Sequence, residues 1–151
     1  MGNSDRDAHE WAGILVPRDV EADLVAALER FGITAGTQVP AVRSAGMIRV
    51  SRTGGELTGN GYRDRASVLV ECWGADSVEA FDYARRVWAA FSVFKYRQWL
   101  TPGVGAHDVE ISPPRSLDDD YAPELYRQQF TADLTISLEE TALTERQDDE
   151  R

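Results

Sequence analysis

Residues 126–138 carry the longest alternation in the chain. Tyr126, Gln128, Phe130, Ala132, Leu134, Ile136 and Leu138 share one parity, and Arg127, Gln129, Thr131, Asp133, Thr135 and Ser137 the other. Side chains alternate across an extended segment, so this period predicts a strand packed on one face only. Shorter alternations recur over residues 47–53, over 65–73 with Val68, Val70 and Cys72 on one face, and over 107–111 with Val109 and Ile111. Between the first two lies GGELTGNG, residues 54–61, a run of turn formers. Residues 47–73 therefore read as a β-hairpin, and the link exceeds a two-residue turn, so a long, mobile tip is expected.

Two segments have helical spacing instead. After Asp19, a good N-cap, the apolar residues Val20, Leu24, Ala27, Leu28 and Phe31 recur at intervals of three and four, and Gly32 follows. This predicts a helix over 19–31. Asp76 and Glu79 have capping-box spacing, and Val78, Phe81, Ala84, Trp88 and Phe91, with Val87 at the edge, form an apolar stripe. This predicts the main core helix over 77–92. Residues 32–46 and 93–104 read as loops, the first with a short extended piece at 38–42.

The order helix, hairpin, helix, short strand, long strand implies an α+β fold: an antiparallel four-stranded sheet with two helices packed on one face. The expected core is Leu24, Leu28, Val50, Val68, Val70, Phe81, Trp88, Phe130, Leu134 and Ile136. Residues 17–138 form the single domain, and 1–16 an N-terminal extension. Residues 139–151 carry six acids, Glu139, Glu140, Glu145, Asp148, Asp149 and Glu150, against Arg146 and Arg151. With so little to bury and so much repulsion, this tail is expected to be disordered.

Composition narrows the function classes. The chain has 151 residues, enough for one real core. Its net charge of -10 opposes binding to phosphate or anionic lipid. No apolar run approaches the ~20 residues of a membrane span, and the opening MGNSDRDAHEW lacks the basic-then-apolar order of a signal peptide. Cys72 is the only cysteine, which excludes a disulfide scaffold.

Candidate chemistry is sparse. Cys72 shares a parity with Val68 and Val70 and reads as a small core residue. His9 and His107 are the only histidines, too few to close a structural metal site with one cysteine. GGELTGNG links two strands and lacks the Lys-Ser/Thr of a phosphate loop. Asp118, Asp119 and Asp120 lack the spacing and glycine of a calcium loop. The run from Lys95 to Trp99 is too short for a nucleic-acid stripe and reads as an aromatic core edge. No catalytic, cofactor or metal site is expected, and the chain reads as a non-enzyme.

The segments IRVSRTGG and DRASVLVECWG, followed by an acid-capped, alanine-rich helix containing DYARRVWAAF and a last alternating strand LYRQQFTADLTIS, resemble the tail terminator proteins of long-tailed bacteriophages. These are also known as minor tail or tail completion proteins. The likeness spans about Asp19 to Leu138, and the link RSLDDDYAPE matches the family only in its acidic character. It implies a structural virion protein at the head-proximal end of the tail. Such proteins form a ring of copies, usually six, that stops tube polymerisation and meets the head connector. The implied partners are a second copy, the tail tube protein and the connector, with DNA passing unbound and no membrane contact. A neck or head-closure protein of similar build is the alternative, and a small ligand-binding domain a more distant one. The surface expected to meet a neighbouring subunit or the tube is the hairpin: Arg49, Arg52, Gly54, Gly55, Leu57, Gly59, Gly61, Tyr62 and Arg63.

Overall fold

The structure, a computed structural model, describes residues 8–147. In chain order its elements are β1 (Ala8–Val16), α1 (Val20–Glu29), β2 (Ile48–Thr58), β3 (Arg63–Gly74), α2 (Ser77–Arg97), β4 (Ala106–Ile111), β5 (Arg115–Ser116), β6 (Tyr126–Ser137) and β7 (Glu139–Arg146). The fold is α+β with two helices, as expected. The sheet arrangement corrects the expectation of a single four-stranded sheet. Four strands run in the order β2-β3-β6-β4, all antiparallel, and β5 pairs with β6 beyond the end of β4, making five. β1 and β7 form a separate two-stranded antiparallel sheet.

Local chemistry sets both helix starts. Asp19 accepts from Ala22 N at 3.1 Å, and Asp76 from Glu79 N at 2.8 Å. Glu79 reaches back to Ala75 N at 3.1 Å, so the capping box is formed, displaced by one residue. α2 runs to Arg97, five residues past the predicted end, and stops at Gln98 in the left-handed conformation. The predicted loop therefore begins at 98. No strand forms at 38–42; Gly36 instead makes an isolated parallel bridge to Arg49.

The core lies between the helices and one face of the five-stranded sheet. Val20, Leu24 and Leu28 of α1, and Ala84, Val87, Phe91 and Phe94 of α2, close on Val50, Val68, Val70, Phe130, Leu134 and Ile136. Two expected core residues stand elsewhere. Phe81 is 42% exposed, and Trp88 is half-buried at the core's edge, its indole N–H donating to Ser112 O at 3.0 Å. α2 faces the sheet through Ala80, Ala84, Val87, Ala90, Phe91 and Phe94. That face is turned roughly 80° from the expected stripe, at ~100° per residue. Small residues win there because they allow close approach: a Cβ on Gly74 would lie 2.4 Å from Ala80 N.

The expected disorder of 139–151 is also corrected. Residues 139–146 are β7, hydrogen-bonded along β1. Residues 148–151, and 1–7 of the N-terminal extension, lie outside the described residues.

Candidate functional site

The β2–β3 hairpin holds the nine residues expected at an interface, and the structure divides them. Pairing runs out to Thr58 and Arg63, so the tip is a four-residue turn, Gly59 to Tyr62, instead of a long mobile link. Gly59, Asn60 and Gly61 all have positive φ, which explains two of the glycines. Leu57, Tyr62 and Arg63 stand exposed, with Leu57 and Tyr62 offering large apolar surface. From Thr53 to Thr58 both faces of the edge strand β2 are exposed, while Asp64 and Ala66 beside it on β3 are buried.

Arg49 and Arg52 are consumed inside the fold and are not free cations. Arg52 makes a bidentate pair with buried Asp64, at 2.5 and 2.7 Å, and its Nε donates to Gly54 O at 3.0 Å. Its pKa is raised, chiefly by the hydrogen bond to Asp64. Arg49 lies 3.1 Å from Glu71. A register shift between Arg52 and Gly54 bends β2, bringing Gly55 onto the backbone of β3. A Cβ there would sit 2.1 Å from Arg65 O, at φ +133, whereas one on Gly54 meets nothing within 4 Å. Gly55→Ala should therefore cost about 1–3 kcal/mol in urea unfolding, and Gly54→Ala less than about 0.5. Equal effects would mean that the bulge lies elsewhere.

A buried polar network on the sheet face away from the helices was not anticipated. The Trp73 indole N–H donates to Asp119 Oδ2 at 2.9 Å, and Tyr121 N donates to Oδ1 at 3.0 Å. Arg43 Nε lies 2.9 Å from Asp119 Oδ2, an ionic contact in which the N–H is not aimed at the oxygen. Beside it, Glu71 is held between Arg49 and Arg127, and Arg127 also donates to Asp118 O at 2.8 Å. These contacts seal the loops around residues 43 and 118–121 onto β3. Burial pushes the Asp119 carboxyl up, but Trp73, Tyr121, Arg43 and Arg127 together hold it below the ordinary range.

Other chemistry is structural in placement. Cys72 is buried, and burial with the nearby Glu71 pushes its thiol up to about 12, so it stays protonated. His107 Nε2 lies 2.7 Å from Ser137 Oγ, and burial and Arg63 lower its pKa. This pair fills the space left by Gly105, whose Cβ would crowd both groups. It ties the end of β6 to β4. No group of three or more metal-ligating side chains occurs among the described residues. No helix among them is long and apolar enough to cross a membrane. A depression of about 560 Å³ forms an open shelf beside Pro113, Pro114 and Phe130.

Compared with known proteins, the chain matches no protein-family model and no curated protein.

Proposed function

We propose that the chain is a structural subunit that assembles into a ring, closes the tail tube of a long-tailed bacteriophage and meets the head connector. The reading rests on the resemblance over Asp19–Leu138 and on one observation: the β2–β3 hairpin carries Leu57 and Tyr62 exposed beside its turn. Exposed apolar side chains of this size suit contact with another protein. The acceptor is a neighbouring copy or the tube, and Arg63 supplies the exposed cation that Arg49 and Arg52 do not. The net charge of -10 suits a ring through which DNA slides without sticking.

Light-scattering mass of the purified protein, alone and with the tail tube protein of the same phage, tests this. The expected result is a ring of about six copies that caps tubes at a defined length. Leu57→Ser/Tyr62→Ser should leave the melting temperature within about 2 °C of wild type, since exposed substitutions change stability little, and abolish the ring. A chain that stays monomeric with tube protein, or tubes that grow unchecked in its presence, would sink the reading.

A further inference from the structure

The β1–β7 ribbon is a second, more exposed surface. Two-stranded sheets are marginal in water on their own, yet this one buries almost nothing against the rest of the chain. Trp11 opposes Leu143 in the register, so their side chains share a face, and they are 52% and 60% exposed. Ile14 follows on that face, after a bulge at which Gly13 has φ +71. Glu10, Glu140 and Glu145 make the ribbon acidic. Its root is fixed at the start of α1, where Arg18 bridges Glu139 at 3.0 Å and Asp23 at 2.9 Å.

A complementary surface lies at the other end of α1. Arg30, Arg86 and Arg97 gather where α1 ends against the last turns of α2, beside a groove of about 210 Å³ lined by Phe31, Ala89 and Val93. Among the described residues none of these three arginines has a carboxylate within 4.0 Å. Arg97 is held by stacking on Trp99, 3.5 Å from the ring centroid, and by the carbonyls of Trp99 and Leu100. An uncompensated cationic patch on so acidic a chain invites an acidic partner.

We infer that the β1–β7 ribbon of one copy docks, Trp11–Leu143 face inward, on the Arg30–Arg86–Arg97 groove of the next copy. Apolar side chains meet the groove, and Glu145, which has the parity of Leu143 and accepts from the Trp11 indole at 3.2 Å, meets the arginines. The ten residues of α1 separate ribbon root from groove by about 15 Å. The two surfaces thus lie at opposite ends of α1 and do not overlap. A contact between different surfaces of identical chains is heterologous, and it closes into a ring when the rotation allows. This contact rests on the ring reading and names the joint that holds the ring.

The test is cross-linking with a short bis-maleimide, with circular dichroism checking that each variant is folded. Cys72 is buried and should not react. Leu143→Cys mixed with Val93→Cys should give a 1:1 cross-linked dimer that neither variant gives alone. Arg86→Glu on the groove copy should cut the yield at least about tenfold, and Glu145→Arg on the ribbon copy should restore it. Leu143→Cys cross-linking to itself would overturn the inference in favour of ribbon-to-ribbon pairing. A wild-type ring without the 93–143 product would overturn it and leave the ring reading standing. A wild-type chain that is monomeric under all conditions would remove both.

Discussion

Replacing Asp119 with alanine should lower the unfolding free energy by about 3–5 kcal/mol, the usual loss when one partner of a buried ion pair is removed. The carboxylate is 4% exposed and serves three groups at once: the Trp73 indole, the Tyr121 amide and the Arg43 guanidinium. Without it, the indole N–H is left in the interior with nothing to replace water, and the half-buried Arg43 loses its carboxylate and keeps the carbonyls of Pro40 and Ala41. Stability should also depend on acid. Asp119 is held below the ordinary carboxylate range in the folded chain. Its contribution is therefore complete above the unfolded value, near pH 4, and is lost as the pH falls through the lower, folded value. Urea midpoints from pH 7 to pH 2.5 should show this loss in the wild type and a shallower one in Asp119→Asn. A loss below about 1 kcal/mol for the alanine variant, with an unchanged acid limb, would show that the loops are held to β3 by something else.

What could be read from the sequence follows from what each segment buries. β6 and β3 pack one face on a core and leave the other polar over much of their length, so their period is plain. β7 exposes every side chain. EETALTER therefore carries no apolar stripe, and its partner β1 lies more than a hundred residues away. Acidic composition then reads as disorder, although backbone pairing orders the segment. The hairpin shows the same limit. Arg49 and Arg52 look free because Glu71 and Asp64, which hold them, belong to the next strand. One signal was present: Asp64 has the parity of Ala66, Val68 and Val70, and a carboxylate on a core parity needs a cation. The Trp73–Asp119 contact left no such trace, because the DDD run gives no sign of which aspartate turns inward.

Phe91→Ala should cost about 3–5 kcal/mol, whereas Phe81→Ala should cost less than about 1. The stripe from Val78 through Phe81 to Phe91 joins the most hydrophobic residues on one side of α2. In the structure the helix is turned so that alanines approach the sheet and Phe94, beyond the expected end, enters the core. Phe91 is fully buried, with its ring edge-on to Phe130 at 5.5 Å and tilted against Phe94 at 5.4 Å. Truncation there opens a cavity and removes two aromatic contacts worth roughly 0.5–1.5 kcal/mol each. Phe81 is 42% exposed and lies with Arg85 5.8 Å from its ring centroid, an exposed cation–π contact of at most about 1 kcal/mol. Urea unfolding of the two variants measures the difference. Equal losses would mean that α2 meets the sheet through the Val78–Phe81 stripe, and a larger loss at 81 would require the helix to be rotated back toward it.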